Sequence, residues 1–240
     1  FLATGDLPYT PDQDEAFRKL LQQSESEDFD FLMHVGDFKS QSAPCSDSSF
    51  LSVRNLFRDY SKPVVYTPGD NEWTDCHGVS SDPIERLNKL RDLFFKDPAT
   101  LRLNHLNVTY QSRSLGHRPY IENYRFLRSG VLFVVVHVVG SGNNYRPDHP
   151  ASMMEFRRRS ASNQVFLKES FTEALSRDVK AVAVLGGKAL TQLVIRNDSG
   201  ATDVAGLKGL NIGVMAFQDT TYYNLLAALA SLFAPPAPYS

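Results

Sequence analysis

Apolar and polar residues alternate in blocks along the first part of the chain. Short apolar runs have the length of buried strands, and the segments between them carry apolar residues at helical spacing. Strands are predicted at 1–6, 29–37 and 63–70, and helices at 11–23, 48–62 and 82–95. Near-continuous apolar strands separated by helices are typical of a parallel sheet covered on both faces.

The pattern continues beyond a mixed, turn-rich region at 98–128, in which no element is predicted. Further strands are predicted at 131–139, 180–186 and 210–217, and helices at 157–177 and 221–233. A polar loop, 140–150, follows the first of these strands. Without a linker or an internal repeat, the pattern predicts one α/β domain over residues 1–233 and a Pro-rich tail at 234–240.

Composition narrows the classes of partner. The chain has 240 residues, 42% hydrophobic and 22% charged, with a net charge of −2. This balance argues against a nucleic-acid partner and against an anionic membrane surface. No run approaches the roughly 20 apolar residues of a membrane span. We therefore expect no nucleic-acid ligand and no membrane span.

Three predicted strands end in the same dipeptide, Gly-Asp. The aspartates are Asp6, Asp37 and Asp70, the last within "PGDNEW". One Gly-Asp pair predicts only a turn. Strand ends in a parallel sheet share one edge, however, and three carboxylates there repel one another unless a cation neutralises them. The pattern therefore indicates a cation site at this edge.

These motifs resemble those of the calcineurin-like metallophosphoesterases, and most closely a secreted branch with "GDNEWTDCH" as its third motif. The segments "PCSD" and "HVVGSGNN" resemble the same branch. The resemblance implies a layered α/β sandwich with mostly parallel central sheets flanked by helices. It also implies a two-metal site in which a bridging hydroxide attacks the phosphorus of a phosphate ester.

The resemblance assigns roles to single residues. Asp6 matches the first metal-ligand aspartate and Asp37 the aspartate that bridges two metals. Asp70 stands where the family usually has a ligand asparagine. The family's histidine two residues after the first aspartate is Pro8 here.

The third motif also departs from the family at the proton donor. Asn71 stands at the histidine that normally protonates the leaving group, and Glu72 matches the acid after it. An asparagine amide can donate a hydrogen bond to a phosphate oxygen but cannot act as a general acid. His77, close to the predicted edge, is a candidate substitute acid.

The late histidine motifs of the family are missing. The six histidines lie at positions 34, 77, 105, 117, 137 and 149, so none can supply a late ligand. In "FQDTTYY", Phe217 and Thr221 occupy the two expected histidine positions, and Asp219 remains. The predicted ligands are therefore oxygen donors only: Asp6, Asp37, Asp70 and Asp219. Such a set favours Ca²⁺ or Mg²⁺, whereas an active site would hold a Zn, Fe or Mn pair.

Two functions follow from this reading. The first is an extracellular protein with a degenerate metal site, weak or no phosphoester hydrolysis, and a binding or assembly role. The alternative is an active metal-dependent phosphoesterase acting on a phosphate ester. A phosphate-containing ligand is a candidate partner. The apolar C-terminal helix and the tail suit a homo-oligomer or an extracellular assembly.

The two cysteines and two sequons bear on location. Cys45 and Cys76 both lie in polar loops directly after strand-turn motifs, which would bring them to the same edge of a sheet. They are either two free thiols or a disulfide, and an oxidising compartment favours the disulfide. Asn107 in "NVT" and Asn197 in "NDS" are candidate glycosylation sites. Together they predict an extracellular or secreted protein.

Three further features have both a structural and a functional interpretation. His34 lies inside a predicted strand and is expected to be a core histidine rather than a ligand. His137 ends an apolar strand and is expected to be structural, although it could face the site. The run Arg157 to Arg159 is expected to form a solvated positive face, the alternative being contact with an anionic ligand.

Overall fold

The computed structural model describes residues 1–186, which form two sheets flanked by helices. The strands are β1 (Leu2–Thr4), β2 (Leu32–His34), β3 (Val64–Tyr66), β4 (Thr109–Tyr110), β5 (Tyr124–Arg128), β6 (Val131–Val135) and β7 (Ala181–Leu185). The α-helices are α1 (Pro11–Ser24), α2 (Asp47–Asp59), α3 (Pro83–Leu90) and α4 (Pro150–Ser176). This is the layered α/β architecture that the sequence predicts.

The first sheet is parallel, with strand order β1-β2-β3. Leu2 pairs with Leu32, and Leu32 pairs with Val64. Every residue of β2 and β3 is buried, as expected for strands covered on both faces. The three strands therefore end at one edge, where the Gly-Asp turns follow them.

Local signals set where the helices begin. The Thr10 and Ser46 hydroxyls and the Asp82 carboxylate each accept a backbone N–H of the first turn of α1, α2 and α3. Helix α4 begins at Pro150, seven residues before the predicted start at 157. Proline is well suited to the first helical position, because its missing N–H would have no partner there.

The second sheet is mixed, with strand order β4-β5-β6-β7. Strands β4, β5 and β6 pair antiparallel, and β6 pairs parallel with β7. Ser129 and Gly130, at φ 52° and 83°, form the two-residue turn between β5 and β6. Strands β4 and β5 thus lie within the region 98–128, for which the sequence predicts no element.

His137, which follows β6, links a buried ion pair to the third Gly-Asp segment. The Arg91 Nε donates to the Glu122 carboxylate at 2.9 Å, and the His137 Nδ1 donates to the same carboxylate at 2.9 Å. The His137 ring also packs against the Trp73 ring, with centroids 5.3 Å apart. Burial lowers the pKa of His137 to about 4, so its ring is neutral at pH 7 and structural, as predicted.

The structure joins Cys45 and Cys76 in a disulfide, with their Cα atoms 5.8 Å apart. This is the second of the two expectations for these residues. Cys45 precedes α2 and Cys76 follows the third Gly-Asp turn, so the bond fixes the loop after Asp37 against the loop after Asp70. Both cysteines are buried.

His34 is a fully buried core histidine, as predicted. Its Nε2 donates to the Leu7 carbonyl at 3.0 Å, and its Nδ1 accepts the Gly36 N–H at 3.2 Å. The Gly36 N–H occupies the only nitrogen that could take a second proton. Burial, the largest cause, lowers the pKa of His34 to about 4.

Several predictions lie outside the described residues. They concern Asp219, Asn197, and the elements at 210–217 and 221–233. The single domain to residue 233 and its Pro-rich tail also extend past the described part and stay predictions. Among residues 1–186, no helix has the length and apolarity that crossing a membrane requires.

The contribution of His34 and His137 to stability should fall between pH 6.5 and pH 4, opposite in sign to that of the carboxyl groups whose pKa burial raises. Because folding lowers the pKa of His34 and His137, only the unfolded chain binds protons there until the pH nears 4. By pH 5 the shifted pKa of each histidine should lower the free energy of unfolding by about 2 kcal/mol relative to pH 7. In urea unfolding, His34→Gln should be less stable than wild type at pH 7 but less sensitive to acid. His105 is exposed and provides the control, so His105→Gln should match wild type in stability and in its dependence on pH. If the stability of His34→Gln fell with pH as steeply as that of wild type, this account would be contradicted.

Removing the disulfide should destabilise the fold. Replacing Cys45 and Cys76 together by alanine should lower the free energy of unfolding by about 3–4 kcal/mol, because the bond closes a loop with a sequence separation of 31 residues. Urea unfolding measures this change. Thiol titration of unfolded wild-type protein, without reductant, should find no free thiol; two free thiols would show that the cysteines are unpaired.

Candidate functional site at the Gly-Asp edge

The three Gly-Asp turns contact one another at the edge of the parallel sheet. The Asp6 N–H donates to the Gly36 carbonyl at 3.0 Å. A Cβ on Gly36 would lie 2.2 Å from the Gly69 nitrogen, and a Cβ on Gly69 would lie 2.1 Å from the Asp37 Oδ1. Only glycine fits this close approach at 36 and 69. The dipeptides thus pack the second and third turns backbone to backbone.

Glu72 holds the second and third turns together. It is fully buried, and its Oε1 accepts the Asp37 N–H at 2.8 Å, the Gly69 N–H at 3.2 Å and the Tyr66 hydroxyl at 3.2 Å. The Asp37 Oδ1 in turn accepts the Asn71 N–H at 3.0 Å. Two buried carboxylates therefore exchange backbone hydrogen bonds across the two turns.

The buried carboxylates repel one another. Burial, followed by the negative charges of Glu72 and Asp70, raises the pKa of Asp37 to about 9. Burial also raises the pKa of Glu72. A cation at this edge would reverse both effects, because it stabilises the ionised carboxylates. Lys39, two residues after Asp37, is buried, and burial lowers its pKa against the opposing influence of Glu72, Asp75 and Asp37.

Asp6 is linked to the third motif through Tyr9. The Tyr9 hydroxyl donates to the Asp6 Oδ1 at 2.6 Å and accepts the Asn71 side-chain N–H at 3.2 Å. Burial and the hydrogen bond to Asp6 raise the pKa of Tyr9, so its phenol is neutral. Asp6 itself has φ 61°, a left-handed conformation that aspartate tolerates better than most residues.

The loop after β6 reaches the third turn. The Ser141 hydroxyl donates to the Asp70 Oδ2 at 2.9 Å. His77, the candidate substitute acid, is exposed, and its Nδ1 donates to the Thr74 carbonyl at 2.7 Å. No hydrogen bond in the described part of the chain joins His77 to the carboxylates. The structure thus brings Asp6, Asp37, Asp70 and Asn71 together and leaves His77 at the rim.

The donor set fits a hard cation only in part. Its oxygen chemistry and its concentrated negative charge suit Ca²⁺ or Mg²⁺. Within residues 1–186, however, no three His, Cys, Asp or Glu side chains are arranged as a metal-binding group. The described carboxylates alone do not complete a coordination site.

Three residues at this edge were not singled out from the sequence: Tyr9, Lys39 and Ser141. Tyr9 and Lys39 stand three and two residues after Asp6 and Asp37, so proximity to a ligand aspartate was the available signal. Ser141 lies within the segment "HVVGSGNN", which resembles the same branch, but nothing in the sequence distinguishes it from its neighbours. Its contact with Asp70 spans 71 positions and depends on the tertiary fold.

Comparison with known proteins gives one match. The family model described as calcineurin-like phosphoesterase matches residues 1–197. No curated protein and no solved structure matches the chain significantly. The family match covers most of the chain and includes all three Gly-Asp turns. The chain belongs to the calcineurin-like phosphoesterase family.

Proposed function

We propose that this chain is a depleted family member that binds a divalent cation through oxygen atoms and hydrolyses phosphate esters weakly or not at all. One observation carries the proposal. Asn71 stands where the resemblance places the general acid, and its amide donates to Tyr9, which in turn donates to Asp6. An amide N–H donates hydrogen bonds but is far too weak an acid to protonate a leaving group.

The ligand chemistry supports the same conclusion. No histidine follows position 149, so the late imidazole ligands of the family are missing from the sequence. Asp6, Asp37 and Asp70 are hard oxygen donors, and Asp219 is the candidate that would add a fourth. A bound Ca²⁺ or Mg²⁺ would neutralise the buried carboxylates and could hold a phosphate-containing ligand at the sheet edge.

An extracellular binding or assembly role completes the proposal. The buried disulfide suits an oxidising compartment. Asn107 and Thr109 of the first sequon are both exposed, which glycosylation at Asn107 requires. An extracellular assembly or a homo-oligomer is the role we assign to a fold retained without strong catalysis.

An active phosphoesterase is the second candidate. The observation that favours it is the raised pKa of Asp37, because strongly perturbed carboxylates cluster at catalytic sites. This candidate would need a Zn, Fe or Mn pair, with Asp37 as the bridging ligand implied by the resemblance.

A turnover assay separates the two candidates. We expect wild type to hydrolyse p-nitrophenyl phosphate and its bis ester, with Mg²⁺, Ca²⁺, Mn²⁺ or Zn²⁺ added, no faster than Asp37→Asn does. Asp59→Asn, a change at the exposed end of α2, is the matched control for charge. Metal-dependent turnover that Asp37→Asn abolishes and Asp59→Asn retains would establish the active alternative.

A further inference from the structure

The loop after β6 contains an unusual backbone segment. Ser141, Gly142, Asn143 and Asn144 have φ values of 48°, 66°, 56° and 66°. We call residues 141–144 the left-handed turn. L-residues adopt this conformation as single residues rather than in runs, and each non-glycine position carries a cost. Other parts of the molecule must therefore hold the turn in place.

Arg159 of α4 provides that support. Its guanidinium is fully buried and donates to the Asn143 Oδ1 at 2.6 Å, to the Asn143 carbonyl at 3.0 Å and to the His137 carbonyl at 2.8 Å. Glu155, one helical turn earlier, neutralises it at 2.5 Å. A planar fork with several donors is suited to holding two parts of one loop at once.

The run Arg157 to Arg159 therefore does not form a single solvated face. Arg157 and Arg158 are exposed, as predicted, but Arg159 is not. The prediction was wrong for Arg159 because helical rotation turns only this member of the run toward the loop after β6. Burying a guanidinium carries a large desolvation cost, which the acceptors of this loop and Glu155 offset.

The left-handed turn connects Arg159 with the Gly-Asp edge. Ser141, its first residue, donates its hydroxyl to the Asp70 Oδ2. Arg159 also lies over the Trp73 ring, with its Cζ 5.2 Å from the centroid. Two routes thus lead from Arg159 to the third motif, one through Ser141 and one through Trp73.

We propose that Arg159 is a positioning residue of the site: it locks the left-handed turn so that the Ser141 hydroxyl is held on Asp70. Of the two routes, only the one through the turn ends on a predicted ligand carboxylate. Ser141 is thereby a site residue that orients Asp70, and Arg159 sets the position of Ser141. This inference concerns the chain's own contacts and stands whether or not the site hydrolyses phosphate esters.

Hydrogen exchange of the segment 70–76 tests the proposal. The Trp73 and Asp75 amides both donate to the Asp70 carbonyl at 3.1 Å, so their exchange reports the order of this turn. Ser141→Ala and Arg159→Met should each speed exchange there by about five- to tenfold. Arg158→Met, the exposed neighbour, should leave the segment unchanged.

The double variant distinguishes the two routes. If Arg159 acts through Ser141, Arg159→Met should add nothing in the Ser141→Ala background. A full additional effect there would show that Arg159 acts through Trp73, and an unchanged exchange rate in Arg159→Met would show that it does not position the site; either result overturns the proposal. If thermal melting shows that Arg159→Met does not fold, Arg159→Lys, which keeps the charge but loses the fork, replaces it under the same criteria.

Discussion

The hydrogen bonds accepted by the Glu72 carboxylate hold the site together. One buried oxygen of Glu72 receives the N–H groups of Asp37 and Gly69, so the second and third strand ends cannot separate without leaving a buried charge without its donors. The same arrangement buries Asp37 close to Glu72, and burial, followed by repulsion from Glu72, raises the pKa of Asp37. Structural cohesion and the proposed affinity for a cation therefore depend on the same pair of carboxylates.

Much of this edge could be predicted from the sequence because its signals are local. Each Gly-Asp pair directly follows an apolar run, and strand ends of a parallel sheet must share an edge. The shared edge also predicts that Cys45 and Cys76 lie close together. His34 is expected in the core for another local reason, since it lies inside an apolar strand. Family membership then follows from the order and form of the motifs, which the match over residues 1–197 confirms.

Other features depend on long-range contacts or on turn chemistry that was not recognised. Ser129-Gly130 forms a hairpin turn between strands, but the sequence before it predicts no strand, because Arg125 and Arg128 interrupt the apolar pattern of β5. Arg159 could not be told from its two exposed neighbours by sequence, since its acceptors lie on a loop 16 to 22 positions away. The link from Tyr9 to Asn71 likewise joins residues 62 positions apart.

Cation binding at Asp37 tests the central claim most directly. Isothermal titration of wild type and Asp37→Asn with Ca²⁺, Mg²⁺ and Zn²⁺ would measure the preference and the stoichiometry of the site. We predict that Ca²⁺ or Mg²⁺ binds wild type and that Asp37→Asn abolishes this binding, because an amide cannot neutralise the ion. Tight binding of two Zn²⁺ ions would contradict an oxygen-only site, and an absence of binding by any of the three ions would contradict a cation site at this edge.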